Sequence, residues 1–400
     1  MDWNSVRDRI ELDPSIAYLN TGTSGLVPKS VHAASIQSRT RLHHNPTDYV
    51  WRSMHESLWN SRERLAQHLS TSPERLIFFQ NVSHAINTFC VGLDLPPDSE
   101  ILLSDHEYAA MRWAWDRAAA FHRWKIVVCE IPHFPYDEER FVSRIHEHIS
   151  PQTRVIYLSH ILYTTGIVLP IARICQFARQ RGILTFIDGA HGPGMVPLAL
   201  DALGADFYAA NLHKWFLAEV GAAFLFVAPG CEDWIAPWQV SWGYRDDRST
   251  PHLRNQFGST AGIRRFEMEG TRDITPWHLL PLNCDFLESI GYEALRRRHH
   301  ELSESVGHEI DQIGGLQLIT SRERSQFGGI TSFQIPTGID GQSVRQRLWE
   351  DHRIEINVLD WNNQQFLRVS THIYNTFDEI ERLAKGLRGL LASRSISRIS

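Results

Sequence analysis

Two short stretches carry most of the reactive groups of this chain. ILTFIDGAHGPG holds Asp188 and His191, and ADFYAANLHKW holds His213 and Lys214. A carboxylate, two imidazoles and an amine at neighbouring strand ends can do acid–base and carbonyl chemistry. Trp215, Phe216 and Leu217 follow the lysine. Apolar surroundings disfavour the ammonium form and leave an amine able to attack a carbonyl. A lysine of this kind points to pyridoxal phosphate, whose ring nitrogen needs a carboxylate partner, the part Asp188 would play. Read singly, Asp188 could begin a turn and Lys214 could be a surface charge, and the apolar flank argues against that. GAHGPG is no dinucleotide loop, because it lacks the G-x-G-x-x-G spacing and contains Pro193.

A phosphate also needs a seat. LIFFQNVSHAINTF runs from a strand into a helix with Ser83 and His84 at the junction, and backbone N–H groups at a helix start suit an anion. Ser83 adds a hydroxyl, although serine there is also a common N-cap. In ILLSDHEYAAMRW, Tyr108 follows a strand and is a candidate to stack on a ring.

These groups need elements to position them. From about residue 60 to 275, β-rich runs (IVVCEIP, RVIYLSH, ILTFIDG, ADFYAAN, AAFLFVA) alternate with amphipathic helices, which predicts an α/β fold with a mostly parallel sheet flanked by helices. Pro170 and Gly182 bracket a crossover helix with Ile171, Ile174, Cys175 and Ala178 on one face. After about residue 280 the rhythm changes to a smaller α+β unit: a long charged helix, GGITSFQIP, a helix near 341–351, a strand at FLRVST and a last helix opened by a Thr376–Glu379 capping box. The expected division is a large cofactor-binding domain over 31–280 and a small C-terminal domain over 281–400.

The 400 residues are 42% hydrophobic and 22% charged, enough for a large core. A net charge of −6 gives no basic footprint for nucleic acid. The run Arg296-Arg297-Arg298-His299-His300 reads as a solvated helix face. No apolar stretch is long enough for a membrane helix, and the N-terminus lacks a signal core, so a cytoplasmic protein is expected. The five cysteines are scattered and never in C-x-x-C, which suggests neither a disulfide framework nor a metal site.

Taken together, YLNTGTSGLVP, FFQNVSHAIN, LLSDHEYAAMRWAW, DGAHGPG, NLHKW, FGSTAGIRRFEMEGTRDITPW and LRVSTHIYNTFDE resemble the class V group of fold-type I pyridoxal-phosphate enzymes over nearly the whole chain. Within the group, LLSDHEYAAMRWAW, QVSWGY and RRFEMEGTRDITPW are most like isopenicillin N epimerase. The resemblance implies that Lys214 forms the Schiff base with the cofactor, pyridoxal 5′-phosphate, and that Asp188 pairs with its ring nitrogen. It implies that His191 and His160 lie near the ring oxygen and that Tyr108 stacks on the ring. Ser83, His84 and His213 would contact the phosphate, and Arg368 in LRVST would clamp the substrate carboxylate, a task suited to a planar guanidinium. The alternative for Arg368 is a salt bridge between domains. Residues 1–30 would cover the site, with the Asn20–Gly25 turn against the substrate. A homodimer with shared sites is implied, in which Thr271 reaches the neighbouring phosphate. Asn211 stands where many relatives have serine or threonine. No cysteine follows Cys284, which excludes a cysteine nucleophile shortly before Arg368.

The reaction is left open among three outcomes after α-proton removal. An epimerase, acting on an aminoadipyl-type side chain, needs a second acid, for which Tyr108, a histidine near 155–165 or a water are candidates. A carbon–sulfur β-lyase on a cysteine conjugate or sulfoxide is the alternative, and a class V aminotransferase the third. A non-enzymatic cofactor-sensing module is disfavoured, because the motifs fill the chain. Trp51, Trp59, Trp238 and Trp242 could line a substrate pocket or pack in a core or interface.

Overall fold

The computed structural model describes residues 1–131, 136–251, 253–255 and 258–392. Phe257, which opens one of the family motifs, and the last residues of the 281–400 stretch lie outside them. Seven strands, β1 (Leu76–Phe79), β2 (Glu100–Ser104), β3 (Lys125–Cys129), β4 (Thr153–Ser159), β5 (Leu184–Asp188), β6 (Phe207–Asn211) and β7 (Ala223–Val227), form one sheet in the order β1-β7-β6-β5-β4-β2-β3. Only β7 runs antiparallel to its neighbours; the other pairings are parallel. Every residue of β5, β6 and β7 is buried. This is why they read as unbroken apolar runs rather than alternating ones.

The helix Ile171–Arg179 carries the chain from β4 to β5, burying Ile171, Ile174, Cys175 and Ala178 as its spacing predicts. Strand order reverses between β2 and β4, the kind of switch point where open α/β sheets gather ligands. Register sets Ser159 beside Asp188 and Asp188 beside Ala209. The last residues of β4, β5 and β6 therefore lie along one sheet edge.

A second sheet, all antiparallel, contains β8 (Gln317–Leu318), β9 (Ile330–Gln334), β10 (Asn357–Trp361) and β11 (Gln364–Ser370) in the order β10-β11-β9-β8. Asn362 and Asn363, both at positive φ, make the tight turn between β10 and β11. That turn fixes the register and delivers Arg368 opposite Asn357 and Ser332. The helix Phe377–Ala392 packs beside this sheet through buried Ile380, Leu383, Leu387 and Leu390. Its capping box is complete: the Thr376 amide donates to Glu379 Oε2 at 3.1 Å, and the Glu379 amide to Thr376 Oγ1 at 3.3 Å.

The early chain binds both sheets. Ala17–Tyr18 pairs with Ile354–Glu355 in parallel, and Asn20 bridges Ser370. The Gly25 amide donates to the His213 carbonyl at 2.8 Å. A Cβ on Gly25 would run into the Lys214 carbonyl, so only glycine permits this approach. In the long helix Tyr292–Asp311, Arg298 and His299 are buried, against the expectation of a solvated basic face. Successive helical residues turn by about 100°, so a run of five cannot share one face. All five cysteines are buried and unpaired.

One buried ion pair locks β1 to its surroundings. Arg62, on the helix Met54–His68, donates to both oxygens of Glu267 at 2.9 Å each and to the Leu76 carbonyl at 2.7 Å, and Glu267 also accepts the Phe78 amide. Removing one member strands the other's charge in the core. Arg62→Met should lower the unfolding free energy by about 3–5 kcal/mol in urea titrations. Adding Glu267→Met should recover part of the loss, because no charge is then stranded and only the Phe78 amide and the Leu76 carbonyl lose a partner.

Candidate active site

At the carboxyl ends of β4, β5 and β6 lies a cleft of about 330 Å³, bordered by Asp188, His191, His213, Lys214, Ser83, Tyr108 and Arg368. Each arrives for a local reason. Asp188 is the last residue of β5, and the turn after β6 carries His213 and Lys214. Leu217 in that turn holds a φ of 57°, a strained conformation for a bulky residue that costs on the order of 1–3 kcal/mol. Asn283 Nδ2 donates to the Leu217 carbonyl at 2.8 Å and helps to keep it there.

Asp188 is almost fully buried. One carboxylate oxygen accepts the Tyr157 hydroxyl and the other the Ala190 amide, each at 2.9 Å. Burial raises its pKa despite those two bonds and nearby Lys214. A carboxylate in this state gains from a cationic N–H partner. Lys214 is pushed the other way: burial, aided by the Arg368 charge and opposed by Asp188, brings its amine down to about 7. Its Nζ lies 3.2 Å from His191 Nε2. Burial and the neighbouring Lys214, Arg368 and His213 hold His191 well below the ordinary histidine value. His213 is lowered to about 4 by burial and Lys214, and its Nδ1 is buried without a hydrogen-bond partner among the described residues.

The helix Val82–Gly92 points its start at the same cleft. Asn211 Oδ1 accepts the Val82 amide at 3.0 Å and Asn81 Oδ1 the His84 amide at 2.8 Å. Asn211 thus holds the helix start with its side chain. Arg368 reaches the cleft from β11, where Nη1 donates to the Tyr163 carbonyl at 3.2 Å and Nη2 to Thr23 Oγ1 at 3.1 Å. Among the described residues its Nε has no hydrogen-bond partner and no carboxylate pairs with it, so they hold no salt bridge of the kind the alternative required. Burial lowers its pKa to about 10, which still leaves it cationic at neutral pH.

Four residues singled out in the sequence do not border this cleft. His160 is buried behind it, its Nδ1 2.9 Å from the Tyr208 hydroxyl. The His84 side chain turns to Glu269, 3.1 Å away. Asn20 Oδ1 accepts the Thr23 hydroxyl at 2.9 Å, acting on the cleft through the turn. Thr271 lies in a separate cavity with Trp51, Trp59, Arg62 and Trp242, so these tryptophans line no pocket with Lys214 in the single chain.

Other contributors escaped sequence reading. Tyr157 supports Asp188, and Thr23 supports Arg368. Glu107 is buried and accepts the Ser104 hydroxyl at 2.6 Å and the Ser159 amide and hydroxyl at 3.0 and 2.6 Å. It ties β2 to β4 and so fixes the loop that presents Tyr108; burial raises its carboxyl to about 7. Two residues before Ser159 on one strand face was the available signal for Tyr157. Nothing in the letters marked Glu107.

A parallel sheet with a reversal in strand order, a desolvated lysine and a buried acid on adjacent strand ends define a pyridoxal-phosphate enzyme of fold type I. The residues fit that cofactor: a buried carboxylate with no salt-bridge partner among the described residues, an amine whose pKa is lowered to about 7, a His213 nitrogen without a partner among them and a helix start with Ser83. Residues 17–383 match the family model described as aminotransferase class-V, and the chain belongs to that family. It is 39% identical over 391 residues to the isopenicillin N epimerase of Streptomyces clavuligerus, covering 97% of this chain and 98% of that protein. It is 40% identical over 392 residues to the enzyme of the same name from Amycolatopsis lactamdurans, with the same coverages of 97% and 98%. Among solved structures, a lysine-to-alanine mutant of C-DES with glycine covalently linked to the PLP cofactor superposes with a TM-score of 0.83 at 22% identity, covering 96% of this chain and 98% of that one.

The lowered pKa of Lys214 has a direct test in the cofactor-free protein. A base whose pKa is depressed is neutral above its midpoint, so reductive methylation of Lys214, followed by peptide mapping, should be half-maximal near pH 7 and fade as pH falls. Arg368→Gln removes one cause of the depression and should move that midpoint upward.

Proposed function

We propose that this protein is an amino-acid epimerase of the isopenicillin N epimerase type, inverting the α-carbon of an aminoadipyl-type side chain. The observation that carries the reading is the pairing, in one cleft, of a lysine whose pKa is lowered to about 7 with an arginine that has no carboxylate partner among the described residues. Identity of 39–40% to the two epimerases over 97% of the chain supports it. Pyridoxal phosphate, when bound, supplies the electron sink that makes an α-proton removable.

Arg368 would orient the substrate by a two-point hydrogen bond, its Nη groups already held by Tyr163 and Thr23. Lys214 would take the α-proton from one side. We assign the return of a proton from the other side to Tyr108, which enters the cleft from the loop after β2. Its ring meets Tyr163 edge-on at 5.3 Å between centroids. Asp188, backed by Tyr157, would face the ring nitrogen, and His191 the ring oxygen. Ser83, the start of the helix Val82–Gly92 and the open Nδ1 of His213 would receive the phosphate.

The proposed organisation is a cover over 1–30, a large domain over 31–280 and a small one over 281–400. The proposed assembly is a symmetric dimer in which Thr271 of one copy reaches the phosphate site of the other. Trp51 and Trp242, 57% and 80% exposed at the rim of the cavity holding Thr271, favour a covered surface there. No helix among the described residues is long and apolar enough to cross a membrane. Five unpaired cysteines suit a reducing compartment, and we place the protein in the cytoplasm.

A carbon–sulfur lyase is the second reading. A probable L-cysteine desulfhydrase of Arabidopsis thaliana is 21% identical over 95% of this chain and 84% of that protein. The two separate in heavy water. Incubated with isopenicillin N, the holoenzyme should place deuterium on the aminoadipyl α-carbon with inversion and release no ammonia, and Lys214→Ala should place no deuterium and cause no inversion. Pyruvate and ammonia from cysteine conjugates, without inversion, would make it a lyase. Accumulating keto acid would make it an aminotransferase.

A further inference from the structure

Trp215, beside the cofactor's lysine, does more than exclude water. Its indole N–H donates to His191 Nδ1 at 3.0 Å, while the opposite nitrogen, His191 Nε2, lies 3.2 Å from Lys214 Nζ. A ring nitrogen that accepts a hydrogen bond carries no proton, so a neutral His191 must carry its proton on Nε2. That N–H faces the lysine, and only an unprotonated amine offers it a lone pair. We propose that Trp215 is a positioning residue: its indole N–H fixes His191 as the Nε2–H tautomer, so that the imidazole presents a donor, not an acceptor, to Lys214 and to a cofactor oxygen beside it. This rests on Lys214 being the cofactor's lysine and not on the outcome of the reaction.

The indole is held well enough to do this. Trp215 is fully buried, and a side chain on Gly329 would overlap its six-membered ring. It stacks on His372 at 5.8 Å between centroids and 22° between planes, with His299 edge-on at 5.5 Å. The same logic fixes His372: its Nδ1 accepts the Ile373 amide at 2.8 Å, so its Nε2–H donates to the Trp215 carbonyl, 3.1 Å away. Backbone and ring of Trp215 are thus tied down separately.

The consequence falls on Lys214. Asp188 favours its ammonium; Arg368 and burial oppose it, and His213 and His191 face it as neutral rings. Were His191 protonated on Nδ1, its bare Nε2 would accept from the ammonium and add to the effect of Asp188. Trp215 keeps that second acceptor from forming.

The test is nitrogen-15 NMR of histidine-labelled, full-length protein stripped of cofactor, with the His191 signal assigned by His191→Gln. In the unaltered chain His191 should show a protonated Nε2 and a bare Nδ1, and an Nδ1–H signal there overturns the proposal without any tryptophan variant. In Trp215→Phe, which keeps an aromatic ring but no donor, His191 should shift toward the Nδ1–H form. The methylation midpoint of Lys214 should rise with it, by about tenfold in proton affinity. An unchanged tautomer in a folded Trp215→Phe would also overturn the proposal. A tautomer as stated, in an enzyme that fails to exchange the α-proton in heavy water, would sustain this role for Trp215 and remove the epimerase reading alone.

Discussion

The loss of water around one amine governs this site. An ammonium keeps its proton because water solvates it, and Lys214 sits where that solvation is gone. Everything close to it decides how far the balance moves. Arg368 pushes toward the neutral amine, Asp188 pulls back, and His191 and His213 are themselves buried too deeply to carry charge. The arrangement demands that a cation and an anion share one cleft without pairing directly. Arg368 is therefore held by neutral oxygens of Tyr163 and Thr23, and Asp188 by the donors Tyr157 and Ala190.

Such a balance needs rigid placement. The parallel register of β4, β5 and β6 places Asp188 and the turn bearing Lys214 on one edge. Covalent geometry then limits where each side chain can go. The strained Leu217 and the donor Asn283 show how tightly the lysine's turn is specified. From the other side, the hairpin through Asn362 and Asn363 sets where Arg368 arrives. The two sheets are joined by side chains, by a backbone bond from the Val168 amide to the Gln326 carbonyl and by the early chain, so Thr23, Gly25 and their bonds help to set the spacing between Lys214 and Arg368.

Much of this was legible in the letters. Buried parallel strands announce themselves as apolar runs, and a polar residue at the end of such a run is conspicuous, which is why Asp188, His213 and Lys214 stood out. Tyr108 was noticed for its place after a strand, whereas Arg368 was reached through resemblance to known motifs. What stayed hidden is contact between distant segments. Glu107 looks like any loop acid until β2 and β4 are side by side, and Tyr157 looks like any strand tyrosine until β5 is its neighbour. The basic run at 296–300 misled because charge was read without helical phase. His84 and Thr271 show a different limit: the first turns to Glu269 and the second lies in a cavity with exposed tryptophans, positions that no pattern of residue types specifies.

The parallel pairing of Ala17–Tyr18 with Ile354–Glu355, and the bridge from Asn20 to Ser370, also bear on how the molecule is made. A ribosome releases residues in order, and the central sheet is complete in sequence by Val227. The segment that closes over Lys214 leaves the ribosome among the first, yet its partners leave among the last. Between the synthesis of Lys214 and that of Ser370, the early chain lacks the strand partners that hold it over the lysine's turn. The cover over the lysine can be tied down only once the C-terminal strands have been made.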